Sequence, residues 1–197
     1  MEKKAKLRIT FNAPVTLSFA IICLVVLLIN YITNGASNRS LFITYHSALT
    51  SPLTYIRFFT HVIGHADWSH YIGNMSYILL LGPMLEEKHG KTQIVEVICI
   101  TAIITALINY IFFTNIGICG ASGVVFAFIL MASFTSFKEG EIPLTVILVA
   151  AIYIGQQVYD GLFIQDNISN MAHIFGGITG AVLGYVMNRK SGKSEVL

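Results

Sequence analysis

Long apolar stretches recur along this chain and leave it few ways to fold. Six of them come near the roughly 20 apolar residues that a helix needs to cross a bilayer. Hydrophobic residues make up 55% of the chain and charged residues only 11%, which is too little charge for an ordinary soluble surface. The pattern predicts an all-α polytopic membrane protein with six transmembrane helices. The second and fourth stretches are short, which suits burial inside the bundle. The six stretches are residues 13–32, 70–85, 94–113, 122–137, 142–159 and 171–187.

Lysine and arginine are distributed unevenly between the predicted loops, and cytoplasmic loops collect such residues. With six spans, ten of the twelve basic residues lie on the side of the termini, against Arg39 and Arg57 on the other side. We therefore expect both termini to face the cytoplasm. The ten residues are Lys3, Lys4, Lys6, Arg8, Lys88, Lys91, Lys138, Arg189, Lys190 and Lys193.

The chain is expected to form a single membrane domain over residues 1–197. Within it, residues 1–12 would be a cytoplasmic segment, residues 33–69 a long outer loop, and residues 188–197 a cytoplasmic tail. A formal net charge of +2 gives no reason to expect a nucleic-acid partner. The three cysteines are too widely spaced to indicate a disulfide framework or a metal site.

The tetrapeptide Gly120-Ala121-Ser122-Gly123 opens the fourth apolar stretch. Flanking glycines let a backbone approach closely, and the free N–H groups at a helix start suit a developing oxyanion. Ser122 is therefore a candidate nucleophile. Taken alone, however, such a tetrapeptide is more often a helix cap with small packing residues.

His173 lies at the head of the sixth stretch and strengthens that interpretation. Glycines follow it at offsets of 3, 4, 7 and 11, so they share its helix face. Small residues at such spacing let two membrane helices approach closely, and the face of the fourth helix that carries Gly123 is a fitting partner. We expect Ser122 and His173 to meet near the outer end, with the imidazole as general base. Because no acid is placed to complete a triad, the expected unit is a Ser–His dyad. The four glycines are Gly176, Gly177, Gly180 and Gly184.

His70 and Asn74 lie four residues apart on one face at the outer end of the second stretch. An imidazole and an amide can both donate hydrogen bonds to a negative oxygen, which makes the pair a candidate oxyanion hole. His61, His65 and His70 together are compatible with zinc. No carboxylate or cysteine stands among them at a ligand-like interval, so neither a metal nor a cofactor is expected.

In combination, these motifs resemble those of rhomboid intramembrane serine proteases of the compact six-helix type. The resemblance covers roughly residues 57–184. It implies a catalytic dyad of Ser122 and His173. It also implies an oxyanion hole formed by the backbone of Ser122 with His70 and Asn74. The residues that it implies to be structural near the site are Gly120, Gly123, Phe126, His61, His65, Glu86, Gly176 and Gly180.

Two positions depart from the family pattern. Many relatives carry Trp-Arg where this chain has Ile56-Arg57, and many carry a tyrosine four residues after the nucleophile, where this chain has Phe126. A phenyl ring can still stack on the imidazole but lacks the hydroxyl. Neither departure removes a catalytic group.

The resemblance implies hydrolysis of peptide bonds in or near transmembrane segments of substrate proteins, with membrane lipids as surroundings. It places the protein in a prokaryotic cell membrane, with the active site opening to the outer face and residues 160–170 as a movable cover. One alternative is a catalytically silent rhomboid-like protein that binds transmembrane helices, which would be expected to lack the serine or the histidine. A small transporter would need an intramembrane charge pathway, for which Glu96 is the sole candidate.

Overall fold

The computed structural model describes residues 9–134, 142, 144–163 and 170–194, and within these ranges the fold is helical. The predicted all-α class is confirmed, and the described residues contain no strand beyond one isolated bridge between Thr44 and Ile118. Two short irregular helices, Asn38–Phe42 and His61–Ile63, lie between the first and third α-helices. The α-helices are α1 (Pro14–Ile32), α2 (Pro52–Thr60), α3 (Trp68–His89), α4 (Lys91–Phe112), α5 (Ser122–Ser133), α6 (Leu144–Phe163) and α7 (Asn170–Ser194).

Each predicted stretch coincides with one helix, but some bounds differ. The second is not short: α3 has 22 residues, because it begins at Trp68 and continues through the polar residues 86–89. Helix α7 continues to Ser194, so the first part of the expected cytoplasmic tail at 188–197 is helical; the cytoplasmic location of that segment stays a prediction. Of the expected movable cover, residues 160–163 belong to α6, and residues 164–169 lie outside the described residues. By length and composition, α1 and α4 are apolar enough to cross a membrane.

The segment between α1 and α3, expected as a loop, contains a helix that the sequence analysis missed. Helix α2 begins with Pro52, whose fixed φ suits a first helical position. It turns Arg57 and Phe58 inward, both 7% exposed. The Arg57 guanidinium donates from Nε to the Ser40 carbonyl at 2.9 Å and lies 4.6 Å from the centre of the Tyr45 ring. The segment is therefore folded against the helices and is held by Arg57.

Helix α5 forms the centre of the bundle. It is apolar on every face, and such a helix belongs in an interior. Val124, Ala127 and Met131 are fully buried, with α7, α3, α4 and α6 packed around them. The expectation that the short fourth helix is buried within the bundle is confirmed. Its position places the start of α5, and hence Ser122, among the other helices.

Glycine lets α7 lie directly against the backbone of α5. A Cβ atom built on Gly176 would lie 2.4 Å from the Gly123 carbonyl oxygen, and one on Gly180 would lie 2.0 Å from that of Ala127. Neither position has room for any side chain. The predicted close approach of the two helices is confirmed, and it fixes the depth of α7 relative to α5.

Glu86 joins α3 to the first turn of α1. Its Oε1 accepts from the Val15 N–H at 3.0 Å, and its Oε2 accepts from the Thr16 N–H and hydroxyl, each at 2.9 Å. A carboxylate here satisfies N–H groups that a helix start leaves free and faces the positive end of the helix dipole. Glu86 therefore braces two helices through hydrogen bonds.

Candidate active site

Ser122 is the first residue of α5, and the chain turns at Gly120 just before this helix begins. Gly120 has φ +123°, a backbone conformation that residues other than glycine rarely adopt. The N-cap is Ala121, which provides no side-chain cap. The hydroxyl of Ser122 is thus not consumed in capping, and the free N–H groups of the first turn surround it.

The loop before Ser122 is held by the segment between α1 and α3. Thr44 and Ile118 exchange backbone hydrogen bonds of 3.0 and 2.9 Å, and the Gly120 N–H donates to the His61 carbonyl at 2.9 Å. These bonds leave the loop little freedom. The position of the Ser122 hydroxyl is therefore set from both sides, by α5 behind it and by the folded segment in front.

His173 meets Ser122 from the first turn of α7. Its Nε2 lies 2.8 Å from the Ser122 Oγ, which is a normal distance for a hydroxyl that donates to an unprotonated ring nitrogen. Phe126 stacks on the imidazole, with ring centres 4.7 Å apart and planes at 11°. The structure thus brings together the predicted nucleophile and base, and the phenyl ring holds the imidazole plane.

His70 and Asn74, predicted as oxyanion donors, approach the loop at the residue before Ala121. A Cβ atom on Gly120 would lie 2.4 Å from His70 Nε2 and 3.6 Å from Asn74 Nδ2. The Asn74 side chain is buried, and its Nδ2 has no hydrogen-bond partner among the described residues. A buried donor without a partner costs free energy. A substrate oxygen bound beside Gly120 would relieve that cost.

His61 and His65, both expected to be structural, contact other residues around the site. His61 places Nδ1 3.2 Å from the Arg57 carbonyl oxygen and Nε2 3.2 Å from the Thr105 Oγ1. The His65 ring packs edge-on against that of His70, with centres 5.1 Å apart. Burial lowers the pKa of both residues to about 4, so both rings are neutral at pH 7. Within the described part of the chain, no group of three or more histidines, cysteines or carboxylates could hold a metal ion.

A partly open cavity of about 570 Å³ lies against the Ser122–His173 pair. The sequence analysis missed several of its wall residues, among them Asp67, Thr105 and Cys119. Thr105 and Cys119 carry no sequence signal, because only the tertiary fold brings them here. Asp67 had one, since an acidic residue directly before an apolar helix is a typical N-cap. The cavity is lined by His61, Ala66, Asp67, Ser69, His70, Thr105, Gly117, Ile118, Cys119, Gly120, Ser122, Gly123, Ala172 and His173.

The chain is similar to several known proteins. Rhomboid-related protein 2 of Mus musculus is 31% identical over 71% of this chain and 53% of its own length. Rhomboid-related protein 1 of Caenorhabditis elegans is 29% identical over 66% of this chain and 39% of its own length. Rhomboid protease GlpG of Yersinia pestis (strain Pestoides F) is 23% identical over 92% of this chain and 65% of its own length.

The chain spans between about a third and two thirds of the length of such relatives. The family model described as the rhomboid domain matches residues 52–190. That range runs from α2 through most of α7 and includes every residue of the site described above. Together with the helical fold, these matches identify the chain as a member of the rhomboid family of integral membrane proteins.

Proposed function

We propose that this protein is an intramembrane serine endopeptidase that hydrolyses peptide bonds in or near transmembrane segments of other membrane proteins. Ser122 is the nucleophile and His173 is the general base. The observation that carries the proposal is the 2.8 Å contact between His173 Nε2 and Ser122 Oγ at the wall of a partly open cavity of about 570 Å³. Family membership supports it, since one relative is named a rhomboid protease.

In the proposed reaction, Ser122 Oγ attacks the peptide carbonyl carbon while its proton passes to His173 Nε2. The carbonyl oxygen becomes an oxyanion, and the donors available to it are the Ser122 backbone N–H with the side chains of His70 and Asn74. His173 then gives its proton to the leaving amine, and an acyl-enzyme remains. Water, deprotonated by His173, attacks the acyl carbon and releases the carboxylate product and Ser122.

Six of the helices, α1 and α3 to α7, are proposed to cross the membrane with both termini in the cytoplasm. Alternation along the chain then directs the first turns of α3, α5 and α7 to one side. His70, Ser122 and His173 all lie on those first turns, while most of the basic residues lie at the opposite ends. By this arrangement the active site opens outward and α2 lies near the outer surface. The match to relatives from bacteria, animals and plants leaves the prokaryotic source a prediction.

The experiment is cleavage of a transmembrane test substrate by the purified protein in liposomes, with a helix-destabilising segment near the outer end of the substrate. Ser122→Ala and His173→Ala should each lower the rate by at least about 10³-fold without unfolding the protein. The matched control is Ser133→Ala at the other end of α5, where the hydroxyl donates to the Ile129 carbonyl; it should retain the rate. Cleavage by Ser122→Ala would contradict the nucleophile, and folded wild-type protein without cleavage would favour the silent, helix-binding alternative.

A further inference from the structure

The wall of the active-site cavity carries one full charge. Among the described residues that line it, Asp67 alone is charged at neutral pH when histidine is counted as neutral. Asp67 is exposed, and no lysine or arginine of the described residues pairs with it. A substrate bound at Ser122 therefore meets the negative charge of Asp67.

The charge is not needed for the structural task that Asp67 performs. Asp67 is the N-cap of α3: its Oδ1 accepts from the His70 N–H at 2.9 Å, and its backbone carbonyl accepts from Tyr71 at 3.1 Å. Asparagine and serine cap helices about as well as aspartate does. The second carboxylate oxygen has no hydrogen-bond partner among the described residues. The positive end of the α3 dipole offsets about half of the carboxylate charge of Asp67. The rest of that charge remains at the cavity wall, which Asp67 lines.

The charge of that carboxylate acts on another residue of the cavity wall. Burial, and then the charge of Asp67, raise the pKa of the Cys119 thiol to about 11. Cys119 lines the same cavity three residues before Ser122. Charges interact more strongly in a partly enclosed cavity than in bulk water. A charged group bound in this cavity would therefore interact with the Asp67 carboxylate.

We propose that Asp67 determines the charge preference of the active site: it favours a substrate with a lysine or arginine side chain near the scissile bond and disfavours one with an acidic side chain there. This inference rests on the proposed function. Because Oδ1 is occupied by the helix cap, a cation would be held by Oδ2. Lysine and arginine should therefore be accepted similarly, since the two-pronged contact that distinguishes arginine is not available.

The test uses covalent labelling of Ser122 in the purified protein by three isocoumarin probes of matched size. One carries a guanidinium group, one is neutral and one carries a carboxylate. Wild-type protein should react with the cationic probe about tenfold faster than with the anionic probe, a difference of about 1.4 kcal/mol. In Asp67→Asn, which retains the cap, the two rates should agree within about twofold, while the rate with the neutral probe changes little.

Two further readouts separate charge recognition from a structural role. The wild-type preference should shrink as the salt concentration rises from about 0.05 to about 0.5 M, because salt screens exposed charges. The matched control is Glu87→Gln, which removes an exposed acidic residue at the far end of the same helix, and it should keep the wild-type preference. A structural contribution alone would respond to neither salt nor probe charge.

Each remaining outcome has a distinct meaning. An equal preference in wild type and Asp67→Asn would overturn the inference and leave the proposed function intact. A slowing of all three probes by the same factor in Asp67→Asn would also overturn it, since Asp67 would then act only as a cap. Failure of every probe to label folded wild-type protein would contradict the proposed function itself, and the inference with it.

Discussion

Helices α7 and α6 both pack on α5, but in opposite ways. At Gly176 and Gly180, α7 lies so close to α5 that a Cβ atom would overlap its backbone. Helix α6 instead presents large apolar side chains outward: Leu144, Ile147 and Ile152 are 67%, 52% and 65% exposed. The helix that carries the proposed base is fixed to the helix that carries the proposed nucleophile, whereas Val146 alone is buried among the described side chains of α6. Rigid packing is thus concentrated where the reaction requires fixed distances.

One side chain connects the two regions. Phe126 stacks flat on His173 and also meets the Tyr153 ring of α6 edge-on, with centres 5.5 Å apart and planes at 88°. A movement of α6 near Tyr153 would therefore also move the Phe126 ring that stacks on His173. Helices α5 and α7 are thus packed tightly against each other, whereas α6 is held loosely. Four predictions test this difference.

Of these four predictions, the largest effect of a single substitution is expected at Gly180. In Gly180→Ala, the new methyl group would overlap the Ala127 carbonyl, so the helices must separate and the Ser122–His173 contact must lengthen. We expect a loss of about 3 kcal/mol in unfolding free energy and of at least about 100-fold in cleavage rate. Unfolding in detergent and a cleavage assay measure the two.

Gly177→Ala is the matched control for that substitution. A Cβ atom there would lie 3.6 Å from Leu130 Cδ2, at ordinary contact distance, so both stability and rate should change little. Equal effects of the two substitutions would contradict the claim that backbone contact at Gly180 holds the two helices.

Acid should destabilise the segment between α1 and α3, which contains His61 and His65, rather than α6, which contains no histidine. His61 and His65 bind protons near pH 6.5 in the unfolded chain, but burial lowers the pKa of each to about 4 in the folded protein. The unfolded chain therefore takes up more protons as the pH falls from 7 toward 4, and stability is lost in that window. At pH 5 each residue should cost about 2 kcal/mol.

Thermal unfolding between pH 7.5 and pH 5 measures this loss. His46→Gln, which removes an exposed histidine, should leave the decline unchanged. A melting temperature that stays constant over this range would show that the two rings are not held neutral by burial.

A smaller effect is expected where the two regions meet. Phe126→Ala removes the ring that holds the imidazole plane, and kcat should fall about tenfold, since a misplaced group loses catalytic orientation. Phe126→Tyr keeps the stacked ring and should retain kcat within about threefold. If the alanine variant kept the wild-type kcat, stacking would have no part in orienting His173.

The smallest effect is expected on α6. A Cβ atom on Gly155 would have no neighbour within 4 Å, so Gly155→Ala should fit without strain. Because alanine restricts the unfolded chain more than glycine does, unfolding free energy should rise by about 0.5 kcal/mol, with little change in cleavage rate. A loss of stability comparable to that of Gly180→Ala would mean that α6 is packed as tightly as α7.

The sequence was most informative where a local pattern has one physical meaning. Glycines at helical spacing after His173 favour a close helix contact, and this predicted the approach of α7 to α5 that Gly176 and Gly180 make. Helix α2 was missed because nine residues without a long apolar run give no membrane signal. Thr105 and Cys119 were missed for another reason: they reach the cavity only through the packing of α4 and the loop before α5, which no spacing in the chain encodes.

The proposed protease function depends on His173 making Ser122 nucleophilic, and covalent labelling tests this most directly. Purified protein is treated with a fluorophosphonate, and mass spectrometry locates the adduct. We predict a single adduct on Ser122 in the wild-type protein, no adduct in Ser122→Ala, and a rate lower by at least about 10³-fold in His173→Ala. An adduct on another residue, or equal labelling of Ser122 without His173, would contradict the account.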